Sequence, residues 1–379
     1  MRIEYLEVTN YRNYSRQSIE PGEGLNIFVG ENAQGKSNLL ESIYVLATTK
    51  STRAARDSEL IQFGESAANI KSRVGRIKEI DLVIELDVSL SEKKSAKLNG
   101  SKHTRMAEVV GQVNAVMFDS GDLETIRGEP SVRRRFLDLE ISQTSPRYVH
   151  SLAAYRKILE QRNYLLKEIR DRRAPTGSLA TLAAWDQQLA NYGSQLIDRR
   201  RSFLSRLTVI ASEAHSRLSE GRDELDIRYL PSFKIDDYPN TDAVRNEFLR
   251  QIALAANDEK ARGTTLIGPQ RDDVAFDVSQ RDSKLYGSQG QQRTVALAVK
   301  LAERQLIEEV VGEPPILLLD DVLSDLDDLR RRHLFETIAK TGSQTFVTCT
   351  NLRAFPESIL SGAKIWNVVN GAAVIAESR

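Results

Sequence analysis

Cysteine is all but missing from this sequence. Its one cysteine, Cys349, has no partner for an internal disulfide, which suits a reducing compartment. Long apolar runs are missing too. Nothing approaches the roughly 20 residues that cross a bilayer, and the opening MRIEYLEVTNYRNYS carries no apolar stretch of an export signal. The expectation is a cytoplasmic protein with no membrane partner. Net charge is absent as well, since Lys+Arg and Asp+Glu both total 53. Any anion-binding surface must therefore come from local clustering of charge. The chain shows no internal repeat and no low-complexity tract.

The 379 residues, 40% of them hydrophobic and 28% charged, suit a soluble protein of two domains. Residues 1–29 alternate like paired strands, and LNIFVG (25–30) reads as a buried strand. The segment 67–118 is rich in strand patterns, with Asn99–Gly100 as a hairpin tip. The texture changes at Pro130, a good first residue for a helix. Leu152, Tyr155, Leu159, Arg162, Leu166 and Ile169 form one heptad seam. Leu182, Trp185, Leu189, Tyr192 and Leu196 form a second, and the pair predicts an antiparallel helical hairpin. Arg170, Arg172, Arg173, Arg199, Arg200 and Arg201 read as its solvated face. After Gly263, strands and helices alternate to a closing hairpin at Asn370–Gly371. The expected organisation is a split α/β head, residues 1–129 and 263–379, around a helical lobe at 130–262.

GENAQGKS (30–37) fits the phosphate-loop pattern G-x-x-x-x-G-K-[ST] in full, between a strand and a helix. Gly30, Glu31, Asn32, Ala33, Gln34, Gly35, Lys36, Ser37 and Asn38 are the expected nucleotide contacts. Backbone N–H groups would wrap the phosphates, Lys36 would reach the β- and γ-phosphates, and Ser37 would hold Mg²⁺. ILLLDD (316–321) supplies the acidic strand end such a site needs. Asp320 is the expected metal carboxylate, and Asp321 the group that orients or deprotonates water. The second carboxylate being Asp rather than Glu predicts slow hydrolysis.

YGSQGQQR (286–293) is a second small-residue turn before a helix whose apolar stripe is Val295, Val299, Ala302, Leu306 and Val310. Two readings of Ser288 and Gly290 stand: a second anion site, or a plain helix cap. At these residues the chain resembles the ABC-type ATPases, whose signature motif matches Ser288, Gln289, Gly290 and Gln291. The resemblance implies that this turn closes over ATP held by a second subunit. It also marks VLSDLD as the D-loop, with Ser324, Asp325 and Asp327.

Further matches narrow the resemblance to the RecF family: VTNYRNY (8–14), GEPSVRRRFLD (128–138), GPQRDDVAF (268–276), YGSQGQQRT and LLLDDVLSDLD. The interval from Lys36 to Ser288 is longer than in transporter ATPases and far shorter than in SMC proteins. The implied fold is a P-loop ATPase head of ABC type, with a mixed β-sheet lobe and an inserted helical lobe. The implied activity is a weak DNA-stimulated ATPase, with ATP and Mg²⁺ as cofactors. ATP would drive an homodimer on duplex DNA or ss/dsDNA junctions, and slow hydrolysis would release it. RecR and RecO are the implied partners in loading RecA. Arg12 and Asn13 occupy a position where such heads contact nucleotide, although a hairpin-turn role is equally open. The glutamine that touches the metal has no clear counterpart here; Asp119 and Asp122 occupy the region.

For DNA, the candidate cations are Lys50, Arg53 and Arg56 after the phosphate-loop helix, and Lys93, Lys94, Lys97 and Lys102 in the 92–103 hairpin. Ordinary solvated loop charge is the alternative. Competing functions are a transporter's nucleotide-binding subunit, a P-loop kinase and an SMC-type chromosome organiser. The helical lobe argues against the first, the signature turn against the second, and the missing long coiled coil against the third.

Overall fold

The computed structural model describes residues 1–77, 80–235, 240–324 and 326–376. The chain opens with strands β1 (Arg2–Tyr11), β2 (Tyr14–Ile19) and β3 (Leu25–Val29), then helix α1 (Lys36–Thr48). Strands β4 (Ala67–Gly75), β5 (Leu82–Ser89), β6 (Ser95–Leu98), β7 (Ser101–His103) and β8 (Ala115–Phe118) follow. Next come helices α2 (Asp122–Arg127), α3 (Pro130–Thr144), α4 (Pro146–Arg170) and α5 (Ser178–Leu218), strand β9 (Leu225–Leu230) and helix α6 (Thr241–Arg262). Strands β10 (Asp273–Val278) and β11 (Arg281–Asp282) lead to α7 (Ser283–Tyr286) and α8 (Gln289–Val311). The chain closes with β12 (Ile316–Asp320), α9 (Asp328–Thr341), β13 (Thr345–Cys349), α10 (Glu357–Leu360), β14 (Lys364–Val369) and β15 (Ala372–Ile375).

Two compact units emerge. The first takes Met1–Leu123, Ala214–Arg222 and Ala296–Arg379, the second Glu124–Glu213 and Asp223–Val295. Within the second unit, β10 pairs with β9 along its whole length.

In the first unit one sheet has the order β2-β1-β4-β5-β6-β7 and is antiparallel. Its strand β5 alternates buried and exposed positions from Leu82 onward, the signature of a strand with one wet face. The other sheet has the order β15-β14-β3-β13-β12-β8, with β14, β3, β13, β12 and β8 mutually parallel. Ile316–Leu319 and all of Thr345–Cys349 are buried, as continuous apolar strands covered on both faces must be. Helix α1 is buried from Leu39 to Thr48, with the polar Glu41, Ser42 and Thr48 among its buried residues. Leu6, Val8, Phe28, Leu40, Ile43, Ile70, Ile84 and Phe346 belong to one apolar core. The Asn99–Gly100 tip joins β6 to β7, and Asn370–Gly371 joins β14 to β15.

The second unit holds the helical hairpin. Ser145 caps α4 by accepting from Tyr148 N, and Asn240 caps α6 by accepting from Ala243 N. Helix α6 stops at Gly263, whose φ of 68° suits the left-handed terminating residue. The seam arginine, Arg162, is buried and makes bonds of 2.7 Å to Asp186, 2.8 Å to Thr265 and 2.6 Å to Glu259. One arginine expected on the solvated face is not there. Arg200 is buried, bonded to Tyr148 Oη, the Pro269 carbonyl and Asp138. The heptad pattern places apolar residues but cannot reveal a third element covering the opposite face.

The same network joins the segments GEPSVRRRFLD and GPQRDDVAF. Arg133 forms a two-pronged pair with Asp273 at 2.6 and 2.9 Å, and Arg134 donates to the Asp272 carbonyl. Asp272 accepts from Tyr229 Oη and from Ser232 N. In α8, Val295, Val299, Ala302 and Leu306 are buried as expected, whereas Val310, near the helix end, is 45% exposed.

Candidate nucleotide-binding site

The site lies in the first unit, where β3, β13 and β12 end side by side. The phosphate loop leaves β3 at Gly30, whose N–H donates to the Cys349 carbonyl at the end of β13. Gly35 closes the loop with φ 112°, a left-handed conformation that favours glycine. Helix α1 then starts with no side-chain cap and no acidic residue in its first turn. Its free N–H groups and dipole face the loop as an anion cradle. Lys36 folds back over the loop, with its Nζ 2.8 Å from the Gly30 carbonyl and 2.7 Å from that of Glu31.

Ser37 Oγ donates to Asp320 Oδ1 at 2.7 Å. Thr348, on β13, donates to the same carboxylate oxygen at 2.8 Å and accepts from Asp321 N at 2.9 Å. Asp321 has φ 53°, so its backbone is turned sharply out of the strand direction. Thr348 therefore sets both aspartates, a role that sequence reasoning missed. The segment QTFVTCT reads only as a buried strand, and nothing in it says which threonine faces β12. Burial pushes the neighbouring Cys349 thiol up to about 11, which leaves it protonated and unreactive.

Ser37 and Asp320 present hard oxygens at hydrogen-bonding separation, a donor set that fits Mg²⁺. Among the described residues there is no group of three or more His, Cys, Asp or Glu that could hold a metal. A cation here would thus complete its shell with water and phosphate oxygens, as Mg²⁺ does.

Arg12 is held beside the loop by an acidic partner. Its Nε and Nη2 hold Glu41 at 2.9 and 2.8 Å, and Nη1 holds the Glu59 carbonyl. Glu41 is buried on α1 and also receives Tyr11 Oη, Ser51 Oγ and Arg53 Nη2. Burial by itself would raise its carboxyl, but the bonds from Arg12 and Ser51, with the charges of Arg53 and Arg12, hold it near 2. Asn13 reaches the loop without reaching past it: Nδ2 donates to the Gln34 carbonyl, and Oδ1 accepts from Asn38.

In the second unit, Ser288 and Gln291 form a reciprocal box. Gln291 N donates to Ser288 Oγ, and Ser288 N donates to Gln291 Oε1. Gln291 Nε2 also donates to Asp223. The cap reading is thus geometrically satisfied, yet Ser288 is exposed and its hydroxyl proton is left over for an acceptor. Gln289 and Gly290 open helix α8. Of the residues expected to form the D-loop, Ser324 ends the short turn Val322–Ser324. Asp325 lies outside the described residues. Asp327 caps α9 by accepting from Arg330 N.

Two acidic residues considered for the metal lie after β8. Asp119 N donates to Asp122 at 2.9 Å, and Asp119 accepts from Gly121 N. Burial pushes the Asp122 carboxyl up to about 8, against the pull of Lys300 at 3.8 Å.

Of the candidate DNA cations, Lys50, Arg56, Lys93 and Lys102 are exposed. Arg53 pairs with Glu41 and bonds Asn38 while remaining 39% exposed. Lys97 is held by Glu85. Lys94 drops out of the group: its Nζ bonds Asp57 and the Thr49 carbonyl, and its side chain is 9% exposed.

No described helix is long and apolar enough to cross a membrane. A family model for the RecF/RecN/SMC N terminal domain matches residues 2–369. The DNA replication and repair protein RecF of Shouchella clausii is 44% identical over 373 residues, 98% of each chain. That of Geobacillus kaustophilus is 44% identical over 372 residues, 98% of this chain and 99% of the other. A solved structure of the recombination mediator RecF with ATP, in the RecFOR pathway, superposes with a TM-score of 0.91. It is 32% identical and covers 99% of this chain and 97% of its own. The Smc head of Pyrococcus furiosus shares the fold alone, at a TM-score of 0.54 and 18% identity. With a relative this similar along nearly its whole length and a matching family model, the chain belongs to the RecF family.

Proposed function

We propose that this protein is an ATP-dependent DNA-binding ATPase of DNA replication and recombinational gap repair. Residues 1–129 and 263–379 make its head, and 130–262 the inserted lobe. The observation that carries the reading is the meeting of Ser37 Oγ and Asp320 Oδ1 at 2.7 Å beside the phosphate loop. Relatives named for DNA replication and repair, and a RecF structure with ATP, support the same conclusion.

The loop N–H groups and Lys36 bind the β- and γ-phosphates, and Ser37 with Asp320 holds Mg²⁺, which supplies charge neutralisation at the phosphates. Asp321 orients the attacking water and takes its proton. Ser288, Gln289, Gly290 and Gln291 of one subunit close over the nucleotide of the other, with Ser324, Asp325 and Asp327 at the same interface. ATP thereby favours a homodimer, and by linkage the dimer favours ATP. Weak, DNA-stimulated hydrolysis releases it. Lys50, Arg53, Arg56, Lys93, Lys97 and Lys102 contact DNA phosphates, on duplex or at ss/dsDNA junctions. RecR and RecO act with the clamp in the cytoplasm; the RecFOR pathway of the solved relative supports this assignment.

The test is fluorescence anisotropy of labelled duplex and junction DNA with ATP, with ADP and without nucleotide. Affinity should rise only with ATP, and Lys36→Ala should abolish the rise. Equal affinity in all three conditions would remove the nucleotide from the account of DNA binding.

A further inference from the structure

The phosphate-loop pattern leaves its four central positions open, so it says nothing of Gln34. Yet Gln34 is the most externally braced residue of the loop. Its carbonyl accepts from Asn13 Nδ2 at 3.1 Å and from Gly371 N at 3.0 Å. Its side-chain oxygen accepts from Asn370 N at 2.6 Å. The next carbonyl, that of Gly35, accepts from the buried Tyr14 hydroxyl at 3.0 Å. Two turns far apart in sequence, the β1–β2 turn and the β14–β15 turn, thus grip adjacent peptides of the loop.

The turns are fastened to each other as well. Gln17, on β2, makes a two-way bond with the backbone of Ala373, accepting at 2.8 Å and donating at 3.1 Å. Gly371 packs against Asn13 so closely that a Cβ there would sit 2.5 Å from the Asn13 carbonyl oxygen. At the start of the loop, a Cβ on Gly30 would collide with the Val368 carbonyl of β14.

A trans peptide is planar, and its C=O and N–H point in opposite directions. Holding the Gln34 carbonyl toward the two turns aims the N–H group of Gly35 the other way. The Gly35 carbonyl, held by Tyr14 together with Asn38 N and Leu39 N of the first turn of α1, does the same for the N–H of Lys36. Those are N–H groups a phosphate needs. We propose that the Asn370–Gly371 turn, with Asn13, Tyr14 and Gln17, positions the nucleotide site by presetting the peptide planes of its phosphate loop. ATP affinity then depends on the integrity of the C-terminal hairpin. This rests on the reading of the loop as an ATP site.

The chain contains its own control. Asn99–Gly100 is a second Asn-Gly tip, with φ of 47° and 85° against 49° and 73° at Asn370–Gly371. A Cβ on Gly100 meets nothing within 4 Å. Gly100→Ala and Gly371→Ala therefore impose similar backbone strain, but only the second presses on Asn13, whose amide holds the Gln34 carbonyl of the loop. The probe is N-methylanthraniloyl-ATP with Mg²⁺, titrated by fluorescence into the full chain without DNA, alongside thermal unfolding. Gly371→Ala should weaken binding about tenfold while Gly100→Ala leaves it at the wild-type value. Tyr14→Phe, which removes one hydroxyl from an otherwise unchanged ring, should weaken it about fivefold and serves if Gly371→Ala does not fold. Wild-type affinity in Gly371→Ala or in Tyr14→Phe, with only a lowered melting temperature, would overturn the proposal. Should Lys36→Ala bind the probe as the wild type does, the ATP-site reading itself would fail instead.

Discussion

Ser37 and Asp320 are 283 residues apart in sequence and share a 2.7 Å hydrogen bond. One lies in the first turn of the phosphate-loop helix, and the other ends strand β12 of the parallel sheet. Their meeting joins two separate motifs into the arrangement proposed to hold Mg²⁺. Asp320→Asn and Ser37→Ala should each reduce Mg²⁺-dependent hydrolysis by about 100-fold or more. Steady-state phosphate release across a Mg²⁺ titration checks this, and wild-type Mg²⁺ dependence in Asp320→Asn would refute the assignment.

Asp321 takes a different part from its neighbour. Asp321→Asn should lower hydrolysis by roughly 10²–10⁴-fold while ATP binding stays near the wild-type value, so the ATP-bound dimer accumulates. Single-turnover hydrolysis measured with nucleotide affinity separates the two effects. Equal loss of both would make Asp321 a structural residue.

Thr348 holds Asp320 and Asp321 together through one hydroxyl. Thr348→Val keeps its shape and removes that link. Stability should fall by about 1 kcal/mol, and turnover should fall about tenfold with little change in KM. Turnover unchanged at the same stability loss would leave Thr348 as packing only.

Glu41 makes acid sensitivity predictable. Its folded-state value of about 2 lies below the ordinary 4.5, so the unfolded chain takes up the proton first. The resulting stabilisation, about 3 kcal/mol on the usual conversion, is complete above pH 4.5 and disappears as pH falls toward 2. Urea unfolding of wild type and Glu41→Gln at pH 7 and at pH 3.5 tests it: the deficit of the variant should shrink at the lower pH. A deficit independent of pH would show that Glu41 acts through shape rather than charge.

The DNA assignment predicts a change in salt dependence. For each phosphate contact removed, the slope of log affinity against log salt should fall by about 0.9. Neutralising Lys50, Arg56, Lys93 and Lys102 together should flatten it visibly, whereas Lys94→Gln should not, because Lys94 is bonded inside. An unchanged slope in the fourfold variant would move the DNA surface elsewhere.

The phosphate loop, the acidic strand end, both Asn-Gly tips and the helical hairpin were legible because each is a local pattern with one physical cause. Arg162 was visible as an odd residue in a heptad seam, but its partners Glu259 and Thr265 lie about a hundred residues downstream, beyond any periodicity. Arg200 was misread because a seam pattern does not tell whether a second face is covered. Its partners come from α3, α4 and the loop at Pro269. The bonding role of Thr348 and the bracing of Gln34 were invisible for a related reason. A strand pattern specifies two faces, and a phosphate-loop pattern leaves its interior free, so neither encodes which neighbour a polar group will meet. Arg12 is a further case: its buried acidic partner on α1 was not foreseeable from spacing.

The most direct measurement of the central claim is sedimentation velocity with ATP, with ADP and without nucleotide, on wild type and on Ser288→Arg. The wild type should be a monomer without nucleotide or with ADP and a dimer with ATP, and Ser288→Arg should bind ATP but stay monomeric. A wild type that remains monomeric with ATP, or a Ser288→Arg variant that dimerises as the wild type does, would contradict it and leave the Ser288–Gln291 box as a helix cap.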